Sequence, residues 1–111
     1  MNIDSWQAQL RKGAAELVVL ASLRAGERYG VQILAAVNRA GGIVTEGALY
    51  PLLSRLEKEG KVASRWETAD GPHPRKYYAL TETGRGLLGE MTQAWVQFRV
   101  AMTGVVEEEE R

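Results

Sequence analysis

Gly47-Ala48-Leu49-Tyr50-Pro51-Leu52-Leu53-Ser54-Arg55-Leu56-Glu57-Lys58-Glu59-Gly60 sets apolar residues at helical spacing with small and polar ones between them. Leu49, Leu52, Leu53 and Leu56 recur at intervals of three and four and would face a core, leaving Ala48, Ser54, Arg55 and Lys58 toward solvent or a polyanion. Gly60 closes the run as a C-terminal glycine does. Thr45 is placed to cap its start, and Glu46 suits the positive end of the helix dipole. Pro51 lies about six residues in, where its missing N–H removes a hydrogen bond. The spacing therefore predicts either an irregular first turn or a kink near Gly47.

On the C-terminal side, Lys61-Val62-Ala63-Ser64-Arg65-Trp66-Glu67 alternates between apolar and polar and suits a strand. Asp70-Gly71-Pro72-His73-Pro74 is dense in turn residues, and Arg75-Lys76-Tyr77-Tyr78-Ala79-Leu80 returns as a second strand. Together they make a β-hairpin with a charged tip. On the N-terminal side, Tyr29 to about Arg39 reads as a helix with Val31, Ile33, Leu34 and Val37 inward, ended by Gly41-Gly42. Before it, Ala14 to about Leu23 is a strongly apolar helical run closed by Gly26. Asp4 or Ser5 can cap a first helix carrying Ile3, Trp6 and Leu10, which Gly13 loosens or kinks. Three helices followed by a hairpin are the parts of a winged helix-turn-helix, a mainly α fold with a small β-hairpin wing.

Thr81 can cap a last helix from Glu82 to about Val106, about 37 Å at 1.5 Å per residue and too long for this domain alone. Leu87, Met91, Ala94, Phe98, Ala101 and Val105 step by four and three, and Leu88, Trp95 and Met102 recur every seven beside them. A stripe this wide can cover both the domain's own core and a second helix. A homodimer is expected, with Trp6, Leu10, Leu88, Met91, Trp95, Phe98, Met102 and Val105 at its interface. The divisions that follow are residues 1–80 for the N-terminal arm and winged helix-turn-helix domain and 81–106 for the dimerisation helix. Residues 107–111 form an acidic tail, frayed because adjacent glutamates repel at the negative end of the helix dipole.

With Tyr29-Gly30 before the central helix and Gly71-Pro72 and Arg75 to Thr81 after it, the chain resembles the PadR family of winged helix-turn-helix transcriptional regulators. The match runs from about Gly13 to about Gly84, and the long last helix with no further domain resembles the family's shorter branch. The resemblance implies that the central helix begins near Glu46, tolerates Pro51 and enters the major groove of double-stranded DNA. The hairpin would then reach along the backbone or into an adjacent minor groove. It also implies that Tyr29, Gly47 and Tyr50 belong to the DNA-facing motif and Arg75 and Lys76 to the wing.

On the residues themselves, Gly47 and Ala48 are small enough for close approach, Tyr50 can offer a hydroxyl to a phosphate, and Arg55 and Lys58 can supply charge, with Ser54 beside them. Family members often carry threonine or serine where this chain has Ala48, and an apolar residue where it has Lys61. Both departures shift the expectation toward phosphate charge and away from base contacts. Some short members bind flat aromatic compounds between paired subunits. That likeness implies a planar aromatic effector stacked on Trp95, with Met91, Val96, Phe98 and Met102 as walls, releasing a repressor from a palindromic operator.

Each residue has a plainer alternative. Tyr29 and Tyr50 can be packing residues with satisfied hydroxyls. Arg55 and Lys58 can be a solvated helix face paired with neighbouring acids, Arg75 and Lys76 a solvated turn, and Trp95 a core residue of the dimer seam. The rival function is a winged-helix module that binds protein without sequence-specific DNA binding.

Composition narrows the field further. The formal net charge is zero, with 14 bases and 14 acids in 111 residues, which alone counts against a nucleic-acid ligand. The acidic tail distorts that sum, since residues 1–106 hold 13 bases against 10 acids, a net of +3. No cysteine and a single histidine, His73, leave no thiolate or multi-histidine metal site, and no metal or cofactor is expected. No Gly-rich phosphate loop and no nucleophile with a base can be assigned, so an enzyme is not expected. With no signal-peptide pattern and no apolar run near ~18 residues, a cytoplasmic protein with no membrane partner is expected.

Overall fold

The computed structural model describes residues 2–68 and 71–108. It orders the chain as α1 (Ile3–Ser22), β1 (Arg28–Tyr29), α2 (Gly30–Val37), α3 (Glu46–Lys58), β2 (Val62–Glu67), β3 (Arg75–Leu80) and α4 (Glu82–Val106). Asn2, not Asp4 or Ser5, caps α1, accepting the Ser5 N–H at 2.8 Å. From there α1 runs unbroken for 20 residues, so the two helices expected around Gly13 are one. A glycine inside a helix costs about 1 kcal/mol against alanine. Burial of Val19 and Leu20 on the same helix is worth roughly 1.5–3 kcal/mol for each side chain and outweighs it.

Helix α2 begins one residue later than expected, because Tyr29 is held in β1 and its N–H donates to Gln32 Oε1 at 3.1 Å. Ile33 and Val37 are buried, but Val31 is 63 % exposed and not inward. Two residues from Ile33 on a helix of 3.6 residues per turn, it lies on the opposite side. The turn into α3 is organised by Asn38. Its Oδ1 accepts the Ile43 and Val44 N–H groups at 2.8 and 2.9 Å, and its Nδ2 donates to the Val44 carbonyl at 2.7 Å.

Thr45 caps α3 by accepting the Ala48 N–H at 3.2 Å, and the helix starts at Glu46 with Pro51 inside it. The carbonyl deprived of a donor by Pro51 belongs to Gly47, an exposed residue open to water. At the other end Gly60 takes φ +75°. The Lys61 N–H donates to the Leu56 carbonyl and the Gly60 N–H to the Glu57 carbonyl, a Schellman closure. Leu49, Leu53 and Leu56 are fully buried, in one core with Leu20, Leu23, Ile33, Val62 and Leu88.

The hairpin is joined by a third strand. The antiparallel order is β1-β3-β2, with Val62 opposite Leu80, Glu67 opposite Arg75, and Arg28 and Tyr29 opposite Tyr78 and Tyr77. Thr81 ties the next helix to the α3–β2 corner: its Oγ1 donates to the Gly60 carbonyl at 2.6 Å and accepts the Gly84 N–H at 3.0 Å. There α4 sits so close that a Cβ on Gly84 would lie 1.9 Å from the Lys61 carbonyl oxygen. Beyond Thr92 the helix leaves the core and its apolar residues are exposed. No described helix is long and apolar enough to cross a membrane. The acidic tail lies partly outside the described residues, as does Asp70 of the hairpin tip.

Candidate nucleic-acid interface

Helix α3 presents three faces. Leu49, Leu53 and Leu56 pack inward, while Gly47, Pro51, Ser54 and Lys58, one helical turn apart in succession, are all exposed. The stripe they make is narrow, uncluttered and free of carboxylates. Tyr50 lies on the wing side, and Ala48, Leu52 and Arg55 lie on the α1 side, where they border a cavity with Glu16 and Met91. Ala48 and Arg55 are exposed, as periodicity predicts, but lie on the α1 side of the stripe.

At the wing end, Tyr29, Tyr50, Arg75 and Lys76 come together around a concavity of about 320 Å³. Gly30 makes this possible. A Cβ there would lie 2.3 Å from the Tyr50 hydroxyl and 2.7 Å from its ring, so the Tyr50 ring occupies the space a side chain would need. The Tyr29-Gly30 pair and Tyr50, separate in sequence, are thus one contact. Arg75 stacks its guanidinium 4.8 Å from the Tyr29 ring centroid, and Tyr29 meets Tyr77 edge to face at 5.3 Å.

Sequence reasoning left Trp66 out. It shares a face of β2 with Val62 and Ser64 but lies past the end of the core, 64 % exposed. Its cross-strand neighbour Lys76 places Nζ 5.9 Å from the indole centroid. An aromatic residue one step beyond the last buried strand position, beside the wing's bases, was the available signal.

The cations differ in availability. Lys76 is drawn back to Glu57 at 3.5 Å. The Ser64 hydroxyl, and with it Lys76, holds the Glu57 carboxyl below its ordinary range. Arg55 is paired with Glu16 at 3.0 Å and Glu59 at 3.1 Å. Lys61, whose charge would strengthen the wing, is instead paired with Glu16 at 2.9 Å and Glu59 at 2.8 Å. Partial burial pushes the Glu16 carboxyl up, but Lys61 and Arg55 together outweigh it and leave it below the ordinary value. Arg65 is held by Glu27 and Glu67. Lys58 and Arg75 have no carboxylate partner among the described residues.

Of the residues expected at a dimer seam, Leu88 is 3 % exposed and filled into its own subunit's core, and Met91 packs half-buried against that core. Leu88 has little surface left for a partner, whereas Met91 keeps part of its own. Trp6, Leu10, Trp95, Phe98, Met102 and Val105 are exposed, as is Val96 of the expected effector walls. Among the described residues, no group of three or more His, Cys, Asp and Glu could hold a metal ion.

Helix-turn-helix, three-stranded sheet with a wing, and a long trailing helix define a winged-helix protein. Residues 19–90 match the model of the transcriptional regulator PadR-like family, and the chain belongs to that family of transcriptional regulators. It is similar to a PadR family transcriptional regulator from Eggerthella lenta DSM 2243, at 32 % identity and a TM-score of 0.81 over 96 % of this chain and 94 % of that one. It is similar to a PadR-like transcriptional regulator from Bacillus cereus strain ATCC 14579, at 30 % identity and a TM-score of 0.81 over 91 % and 99 % of the two chains. The transcriptional regulator Rv3488 of Mycobacterium tuberculosis is 33 % identical over 86 residues, 78 % of this chain and 79 % of that protein.

Proposed function

We propose that this regulator is a homodimeric repressor that binds a palindromic site in double-stranded DNA. The observation that carries the reading is the convergence of Tyr29, Tyr50, Arg75 and Lys76, from three separate elements, beside the exposed stripe of α3. Gly47 and Ser54 on that stripe let the helix approach base edges. Tyr29 and Tyr50 offer hydroxyls, and Arg75, Lys58 and Lys76 offer charge, to the flanking phosphates. Arg55 reaches a phosphate only by leaving Glu16 and Glu59.

Dimerisation falls to α4 and the start of α1, where Trp6, Leu10, Trp95, Phe98, Met102 and Val105 leave a large apolar surface uncovered. Residues 1–80 then act as the reading unit and 81–106 as the pairing helix. A two-fold dimer presents two reading helices about 34 Å apart, one turn of duplex. A planar aromatic effector stacked on Trp95, between walls of Val96, Phe98, Met102 and Met91, would change the angle between the reading units and weaken the complex.

The test is selection of bound duplexes from a random pool, followed by titration of the enriched sites against ionic strength. An enriched palindrome whose affinity falls steeply with salt is the expected result. Uniformly weak, sequence-insensitive binding would instead make the fold a protein-interaction module.

A further inference from the structure

Three arginines outside the wing line one open cavity. Arg24 in the turn after α1, Arg28 in β1 and Arg39 just past α2 border a space of about 500 Å³ floored by Val18, Ala21 and Val37. None of the three has a carboxylate partner among the described residues. That sets them apart from Arg55, Lys61, Arg65 and Lys76, which are all paired. Arg24 donates through Nη2 to the Thr92 hydroxyl of α4 at 3.2 Å, leaving its other N–H groups free for a ligand. Like charges gathered over an apolar floor repel one another, and an anion placed among them relieves the repulsion. Guanidinium groups present paired N–H donors that match a carboxylate. The volume falls in the range of small-molecule sites, about 300–1,000 Å³.

We propose that this cavity binds a small organic anion, its carboxylate held by Arg24, Arg28 and Arg39 and its apolar body seated on Val18, Ala21 and Val37. The site is separate from the wing concavity. Arg28 and Tyr29 are consecutive residues of β1, so their side chains leave opposite faces of the strand, and each lines a different cavity. A ligand here also touches the domain's link to α4 through the Arg24–Thr92 bond. Occupancy therefore bears on Tyr29, which starts α2, and on the pairing helix. That regulatory consequence rests on the DNA-binding reading, whereas the site itself does not.

The intact protein is titrated, at constant ionic strength, with cyclohexanecarboxylate, its neutral counterpart cyclohexylmethanol, and inorganic phosphate, while backbone amide shifts are followed by NMR. The carboxylate is expected to shift amides at 24–29 and 36–40 saturably, with both other probes roughly tenfold weaker or worse. Arg24→Gln with Arg39→Gln is expected to lose roughly tenfold in affinity. Arg39→Gln alone, at an exposed position just past α2, gives a smaller loss and serves where the double variant fails to fold. No saturable shift, or equal binding of the alcohol, would overturn the site. Phosphate binding as tightly as the carboxylate would remove the role of the apolar floor, and undiminished affinity in the variants would remove that of the arginines. Duplex affinity with and without the carboxylate is read separately. An unchanged value overturns the coupling, and no duplex binding under any condition overturns the DNA reading while the amide shifts still decide the site.

Discussion

Replacing Glu16 by glutamine separates two things that this carboxylate does at once. Its oxygens lie 3.0 Å from Arg55 and 2.9 Å from Lys61, and its side chain is 22 % exposed. Exposed pairs contribute roughly 0.2–1 kcal/mol each, and this one is partly sheltered, so losing both ion pairs should cost about 1–2 kcal/mol. Glutamine still accepts one hydrogen bond, and Glu59 still holds both cations, which keeps the loss near the lower figure. For a chain of this size that is a fall in Tm of about 4–8 °C.

The cost depends on pH with a definite sign. Because the folded-state pKa of Glu16 lies below its ordinary value of 4.5, its contribution is fully present above that pH and disappears as pH falls through the lower, folded value. The gap in Tm between the native protein and the variant should therefore be constant near neutrality and close in acid. DNA binding should move the other way. With Glu16 neutral, Arg55 is held by one carboxylate instead of two, and its capture by a phosphate would steepen the slope of log affinity against log salt by about 0.9. Thermal melting across pH and fluorescence anisotropy of a labelled duplex across ionic strength measure the two effects. A variant with an unchanged salt slope and a Tm gap that persists in acid would refute the claim that Glu16 restrains Arg55.

Arg75→Gln with Lys76→Gln should flatten the salt slope by nearer 0.9 than 1.8, because Lys76 is already shared with Glu57; an unchanged slope in the same anisotropy assay would exclude the wing from phosphate contact. Gly30→Ala should push the Tyr50 ring aside and lower duplex affinity by roughly tenfold while stability changes by no more than about 1 kcal/mol; full affinity would leave Tyr50 as packing alone. Gly84→Ala, with its methyl against the Lys61 carbonyl, should cost about 1–3 kcal/mol by overpacking; an unaltered denaturant midpoint would mean that α4 is not seated as described. Trp95→Ala, where the native side chain is 45 % exposed in the isolated subunit, should weaken dimerisation by about 2 kcal/mol, roughly thirtyfold. Sedimentation equilibrium would show it, and an unmoved dissociation constant would take Trp95 out of the seam.

The extent of α4 and the end of α3 are legible in the residues alone, whereas a start of α3 at Glu46 in spite of Pro51 is what the family resemblance implies. Four leucines at intervals of three and four, Thr45 ahead of them and Gly60 behind them are signals carried by residues within one or two turns of each other. Thr81 marks the start of α4 in the same way. The hairpin is legible because turn residues separate two alternating runs. Strand β1 is not, since two residues show no periodicity and owe their extended form to pairing with Tyr77 and Tyr78. Gly13 misleads because its local cost is real but small beside the burial of the helix it interrupts.

The site divides along the same line. The resemblance to the family marks Tyr29-Gly30, Tyr50, Arg75 and Lys76, and the fold shows why the glycine belongs with them: the Tyr50 ring fills the place of its missing side chain. Which cations are free is decided only in three dimensions. Glu16 lies 39 residues from Arg55 and 45 from Lys61, so no helical or strand period links them. Helix and strand periods are fixed by neighbours a few bonds away and are written into the sequence directly. The choice of an ion-pair partner depends on how distant helices pack, and it exists only once the core of leucines has closed.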